Sequence, residues 1–220
     1  MKTGFDILNY IGGYLQEGNL YCVGCTARVK RIKLLANVAI GLLSKQSGLA
    51  LISLDYNRSE MTDALKESYR ASNASSTGKL SLWLEHKPII TYSLIHDTLK
   101  RIEYKKGKNL QVLLVDNLIK IRTDFHCSSQ GMCIAANLYL LKMIAFEYQI
   151  PVLAFTELYP DKALLQPIVD SEYIDKMIVF HAEKERVPKP IRTGAKIFSD
   201  GIKLPKIPFD IYVGKESVKC

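Results

Sequence analysis

No apolar run in the 220 residues reaches the roughly 18 that a membrane-crossing helix needs. The opening residues, MKTGFDILNYIGG, lack the charged-then-apolar form of a secretory signal. A cytoplasmic protein without a membrane partner is therefore expected. Cysteine is sparse and badly spaced for metal. Cys22-x-x-Cys25 has the spacing of a metal or redox pair, but Cys22 falls in an expected strand and Cys25 in the loop beyond it. Strand neighbours face opposite sides, so the two need not converge. Cys127 and Cys133 do not have a usual zinc spacing either, and small buried apolar roles are expected in place of a metal site. The one tryptophan, Trp83, is expected in a core or an interface and not stacked on a base. There is no internal repeat and no second-domain boundary. The chain reads as one domain over 1–220, with 182–220 as C-terminal edge strands and tail.

What is present is an ordinary globular composition, 48% hydrophobic and 24% charged. The charge is basic, 30 Lys+Arg against 22 Asp+Glu, formally +8 with pI ≈ 9.1. Such a surplus favours polyanions, usually nucleic acid.

Apolar runs alternate with helical patterns. Leu20 to Val23 reads as a buried strand, Gly24 to Lys30 as a loop, and Ile32, Leu34, Leu35, Val38, Ala39, Leu42 and Leu43 as the apolar positions of a helix reaching about Gln46. Leu49 to Leu54 is a second strand ending at Asp55, and Arg58 to Ala71 a helix. Ser72 to Gly78 is a loop, Leu80 to Leu84 a short element, and a strand is expected around Pro88 to Ile90. A helix over Ser93 to Tyr104, a basic turn at Lys105 to Asn109 and the strand Val112 to Asn117 follow. Arg122 to Gly131 reads as a loop, Met132 to Tyr148 as a helix, and Ile150 to Thr156 as a strand with Glu157 at its end. Tyr159 to Val169 is a loop and Lys176 to Phe180 a strand. Short strands at Ala195–Phe198 and Phe209–Val213 complete the reading. This order argues for a parallel α/β sheet with an antiparallel edge near the C-terminus.

Ligands bind such sheets at the carboxyl ends of the strands. Four ends then converge: Gly24–Ile32, Asp55, Asp116–Asn117 and Glu157. A strand, loop and helix in this arrangement can cradle phosphate, because free N–H groups and the helix dipole meet there. The wording expected of such a loop is G-x-x-x-x-G-K-[ST]. This chain has Gly24, and the places of the second Gly, the Lys and the Thr read Lys30, Arg31 and Ile32.

Five blocks carry a resemblance: TGFDILN with GGYLQEGNL, VG followed by ANVA, ISLD, LLVDNL, and EYQIPVLAFTEL. With this spacing the chain resembles, from Thr3 to about Val213, the C-terminal RecA-like motor domain of DnaB-type replicative DNA helicases. The resemblance implies a three-layer RecA-like P-loop NTPase fold. It implies that Asp55 stands where a Glu acts on the attacking water, Asp116 at the Walker B aspartate, and Glu157 where a Gln usually reports on nucleotide and DNA. The nucleotide pocket would comprise Gly24, Arg28, Lys30, Arg31, Ile32, Asp116 and Lys203. The resemblance does not extend to the family's N-terminal helical domain, which docks primase.

The departures are systematic. Lys30 brings a Cβ where a bare backbone folds around phosphate. Arg31 keeps the charge of a Lys but not its shape. Ile32 lacks the hydroxyl that coordinates Mg²⁺. Asp55 is one methylene short, and Glu157 adds negative charge. The expectation is a degenerate member in which Asp55 and Glu157 are remnant catalytic positions. No cofactor is then expected; ATP and Mg²⁺ belong to the alternative, a divergent ATP-dependent helicase motor. Asp116 is read as capping a strand end or pairing with a cation such as Arg31 ahead of binding metal. Asp55 and Glu157 read equally as solvated crevice carboxylates. Lys30, Arg31 and Lys33 form a basic helix start that wants an anion or an acidic neighbour. The loops Arg122–Gly131 and Tyr159–Val169 stand where the family's DNA loops lie. Lys120, Arg122 and Lys162 are thus the cations to test against DNA, with a replicative helicase or further copies of the chain as other partners. His126 is not expected to be a ligand.

Overall fold

Alternate residues of the central strands point to opposite sides of one sheet, and both sides are covered. In the computed structural model, residues 15–25, 31–43, 48–71, 82–86, 89–106, 110–123, 126–157, 167–168, 170–180, 210–213 and 216–219 are described. The strands are β1 (Leu20–Cys25), β2 (Leu49–Ser53), β3 (Leu82–His86), β4 (Val112–Asp116), β5 (Val152–Glu157) and β6 (Lys176–Phe180). They form one six-stranded sheet in the order β3-β2-β4-β5-β1-β6, every neighbouring pair parallel. The helices are α1 (Arg31–Leu43), α2 (Arg58–Ala71), α3 (Tyr92–Lys106) and α4 (Gln130–Tyr148).

Tyr21, Val23, Leu49, Leu51, Val112, Leu114, Leu153 and Phe155 pack on one side with α1 and α2. Leu20, Cys22, Ala50, Ile52, Leu113, Val115, Val152 and Ala154 pack on the other with α3 and α4. This is a three-layer α/β fold. With both faces buried, the central strands need apolar residues at every position, which is why they read as unbroken runs and not as alternating ones. Cys22 and Cys25 fall on opposite faces, as the period of two requires. Trp83, on the edge strand β3, packs partly buried against the second layer.

Local signals set several boundaries. Asn57 and Glu60 form a capping box at the start of α2: Glu60 N–H donates to Asn57 Oδ1 at 3.0 Å, and Asn57 N–H to Glu60 Oε2 at 2.8 Å. Ser129 caps α4 by accepting from Met132 N–H at 3.2 Å, so that helix begins at Gln130, two residues before the expected Met132. It ends at Gln149, left-handed at φ 52°, whose N–H returns to Ala145 and Phe146 carbonyls.

Three expectations need correction. β1 continues through Gly24 and Cys25, which pair with Thr156 and Glu157 of β5, so these two are strand residues and not loop. The short element expected at Leu80 to Leu84 is β3, at Leu82–His86, and no strand forms at Ile89 and Ile90, where one was expected around Pro88–Ile90. Ile89 is exposed while Ile90 is buried beside α3, its carbonyl accepting from Arg122 N–H at 2.9 Å. A lone buried isoleucine at a helix entry mimicked a strand. The antiparallel element, β7 (Asp210–Val213) with β8 (Glu216–Lys219), is a two-stranded ribbon of its own and does not form an edge of the large sheet. The first helix is described to Leu43; Gln46, the lead-in to Tyr14, the Ser72–Gly78 loop and Ala195–Phe198 lie outside the described residues. Among the described residues no helix is long and apolar enough to cross a membrane.

Candidate functional site at the carboxyl ends of the strands

The topology places β2, β4, β5 and β1 side by side in that order. Ser53 pairs with Asp116 and Asp116 with Phe155, so β2 and β4 end level, while β5 and β1 run on to Glu157 and Cys25, which pair with each other. Asp55 follows β2 in a tight turn. Ser53 Oγ accepts from Tyr56 N–H at 3.1 Å and donates to the Tyr56 carbonyl at 2.9 Å. Leu54 N–H donates to the Asp116 carbonyl, binding that turn to β4. Beyond Asp116 the Asn117 side chain accepts from Ile119 N–H at 3.2 Å and caps the short 3₁₀ turn Leu118–Lys120. The Asp116–Asn117 peptide is cis.

Arg31, the first residue of α1, sends its side chain into the middle of these ends and is 3% exposed. Its three nitrogens meet three carboxylates. Nε donates to Asp116 Oδ1 at 2.5 Å and Nη2 to Asp55 Oδ2, while Nη1 stands 2.6 Å from Glu157 Oε1 in an ion pair without hydrogen-bond alignment. The guanidinium also lies over the Tyr56 ring, 5.4 Å from its centroid. Lys120 pairs with Asp55 Oδ1 from the solvent side, and Asn117 Nδ2 donates to Asp55 Oδ2 at 3.1 Å. A planar five-donor fork suits this geometry.

Three carboxylates against Arg31 and Lys120 leave the cluster one negative charge in excess. The charges respond accordingly. Burial alone would lower the Arg31 pKa, but Asp116, Tyr56, Glu157 and Asp55 together raise it, so it stays charged. Asp116 is fully buried, and burial pushes its pKa up to about 6; Arg31 opposes this, while Asp55 and Glu157 add to it. Both members of that ion pair are thus raised. Arg31 gathers three acids, while Asp116 has only a share of one cation and leaves Oδ2 without a hydrogen-bond partner. Burial would also raise Asp55, but its hydrogen bonds to Lys120 and Asn117 and the nearby Arg31 hold it below its usual range. Burial takes Tyr56 and Cys25 each to about 12, against the pull of Arg31.

Of the residues singled out from sequence, the structure brings together Arg31, Asp55, Asp116 and Glu157. Gly24 is buried within β1, one strand position before Cys25, the partner of Glu157. Ile32 turns away and packs partly buried against the α1–α2 core. Lys33 pairs with Glu67 at 2.7 Å on the surface. Lys120, read as a DNA cation, is engaged by Asp55 with its side chain 56% exposed. Arg122 is exposed, its backbone bridged to Thr91. Arg28, Lys30, Lys162 and Lys203 lie outside the described residues. Tyr56 escaped sequence reasoning as a site residue; the signal open to it was its position directly after a strand-end aspartate.

The loop register also needs correction. Counted strictly from Gly24, the second-Gly, Lys and Thr places are Val29, Lys30 and Arg31. Lys30, Arg31 and Ile32 take those places only when the count runs back from the ANVA block within α1. In neither register does a Ser or Thr hydroxyl follow the basic residue.

No protein-family model matches the sequence, and no curated protein matches it. Among solved structures the chain is similar to a DnaB-like replicative helicase studied for its interactions with primase, at TM-score 0.64 and 17% identity over 86% of this chain and 55% of that one. It is also similar to a second solved structure, an ATPase domain, at TM-score 0.63 and 15% identity over 86% of this chain and 79% of that domain. The chain thus spans about half the length of the first. At these identities the likeness is one of fold: the RecA-like fold of DnaB-type ATPase domains.

Proposed function

We propose that this chain is a DnaB helicase-like protein linked to DNA replication that does not hydrolyse ATP and acts by binding DNA, a replicative helicase or its own copies. The observation that carries the reading is the seat of Arg31. A phosphoryl-transfer site needs its strand-end acids directed at a hydrated Mg²⁺ and at water. Here Asp55 Oδ2 and Asp116 Oδ1 are turned onto a guanidinium, with Glu157 closing the third side. Ile32 packs into the core and Arg31 carries no hydroxyl, so neither register supplies the alcohol that Mg²⁺ would take. The described donor set does not fit a Mg²⁺–nucleotide. Arg31 supplies the central positive charge permanently, and no step of catalysis follows from it. The basic surplus supports a polyanionic partner, and a cytoplasmic location belongs to the same reading.

One observation favours the alternative of a divergent ATP-dependent helicase motor. Asp116 Oδ2 is buried without a hydrogen-bond partner in a cluster one negative charge in excess, which is what a site awaiting a cation presents. Nucleotide binding with and without Mg²⁺ separates the two. The proposal expects no MgATP-dependent thermal shift and no phosphate release above background. Turnover that disappears in Asp116→Ala would overturn it.

A further inference from the structure

Two thiols meet at one hydroxyl beside the start of α4. Thr123 Oγ1 lies 3.4 Å from Cys127 Sγ and 3.9 Å from Cys133 Sγ. The arrangement follows from the helix cap. Ser129 is the N-cap, and Cys133 N–H donates to its carbonyl at 3.1 Å, which places Cys133 in the first turn. Cys127 lies two residues before the cap, where the entering chain folds back over that turn. Both side chains are partly exposed, and both sulfurs touch the one Thr123 hydroxyl. Cys22 and Cys25 differ in every respect. They are buried on opposite faces of the sheet, and burial pushes each up to about 12.

We propose that Cys127 and Cys133 are a reversible dithiol modification site, closed to an intrachain disulfide by low-molecular-weight disulfides of the glutathione type and reopened by the matching thiol. The Cys127 thiolate attacks one sulfur of oxidised glutathione, forming a mixed disulfide and releasing one glutathione thiolate. Cys133 then loses its proton and attacks the Cys127 sulfur, forming the internal bond and releasing the second glutathione. The two protons lost by the protein are taken up by the two glutathione thiolates, and the two electrons lost by the protein reduce the glutathione disulfide. Interaction with Cys127, and then burial, raise the Cys133 pKa against the opposing bond from Thr123, which suits Cys133 to the second, resolving step. The closed form would tie Cys127, ahead of the Ser129 cap, to the first turn of α4. The site does not depend on the reading of the strand-end cluster.

The test uses the full chain with Cys220→Ser to remove the one thiol outside the described residues. Reduced protein is equilibrated in buffers of rising oxidised-to-reduced glutathione ratio, quenched by alkylation and mapped by peptide mass. The expected result is a linked pair of peptides carrying Cys127 and Cys133, lighter by two hydrogen atoms, that reopens with dithiothreitol while Cys22 and Cys25 stay reduced. Cys127→Ser and Cys133→Ser should each instead retain one glutathione as a stable adduct. Full alkylation of both thiols in excess oxidised glutathione would overturn the proposal. So would mixed disulfides in the Cys220→Ser chain that never close, or links found only between chains. That mapping, repeated on the unaltered chain, stands even if a Cys127 or Cys133 variant fails to fold.

Discussion

Replacing Arg31 with methionine keeps much of the side chain's volume and removes its charge. The cluster then holds Asp55, Asp116 and Glu157 against Lys120 alone, and its excess grows from one negative charge to two. Removing one partner of a buried pair costs roughly 3–5 kcal/mol. The lower end applies here, because Glu157 is 29% exposed and is screened by solvent, leaving the fully buried Asp116 to carry most of the penalty. Arg31→Met should therefore lose about 3 kcal/mol at pH 8, a fall in Tm of roughly 6–12 °C for a chain of this size. The sign of the pH dependence follows from Asp116. Its folded pKa, about 6 with Arg31 in place, lies above its unfolded value of 3.8 and rises further without Arg31. The folded state then holds the proton more tightly than the unfolded one. The penalty is full above the folded pKa and is gone below the unfolded value. Lowering the pH from 8 to 5 should thus narrow the gap between variant and wild type, and Asp116→Asn added to Arg31→Met should recover most of the loss at pH 8. Chemical denaturation of the four proteins of that cycle at both pH values measures it. Equal stabilities at pH 8, a gap that widens towards pH 5, or an asparagine that adds to the loss would refute the buried cluster.

Asn57→Ala should cost about 1 kcal/mol by opening the capping box of α2, read as a lower urea midpoint with an unchanged slope. Phe155→Ala, in the layer between the sheet and α1–α2, should cost about 3–5 kcal/mol by the same measurement. If the chain binds DNA through the exposed Arg122, Arg122→Ala should leave the melting curve unchanged and lower the salt slope of DNA affinity by about one; an unaltered slope would remove Arg122 from the interface. Lys120→Ala should cost under about 1 kcal/mol, since its side chain is more than half exposed. It should also raise the Asp55 titration followed by carboxyl NMR shifts.

The sheet was legible because its strands are buried on both faces. Leucine and valine runs such as VLLVD and VLAFTE have no amphipathic alternative, and α2 and β6 fall where their patterns end. Legibility failed at the edge and at the caps. β3 is only half-buried, so its residues LWLEH carry a weaker apolar signal than the isolated Ile90 nearby. Ser129 moved the start of α4 through one side-chain bond. At the site, the three strand-end acids could be placed from position alone, and Arg31 was already a candidate partner for Asp116. That one guanidinium serves all three acids could not be read from the sequence. It depends on β2 and β4 ending level while β5 runs on to Glu157, and on the Ser53–Tyr56 turn directing Asp55 inward, both products of register and not of spacing.

The same cluster gives a physical reason for the departures to occur together. A buried guanidinium needs an acceptor on each face of its fork, or it keeps an unpaired donor out of water. Asp116 serves Nε and Asp55 serves Nη2, which leaves Nη1 toward β5. Glu157 stands there as an ion-pair partner, its charge set against Nη1 without hydrogen-bond alignment. The glutamine that the resemblance leads one to expect would offer Nη1 a neutral oxygen and leave the cluster with two acids against Arg31 and Lys120. The extra acid restores a negative excess around a cation that cannot leave. Asp55, shorter than the expected glutamate, ends within reach of Nη2, Lys120 and Asn117 together. Arg31, Asp55 and Glu157 are thus interdependent. On the proposed reading, replacing Asp55 by Glu or Glu157 by Gln should each disturb the seat of Arg31, whereas positions without coupling would be indifferent to one another.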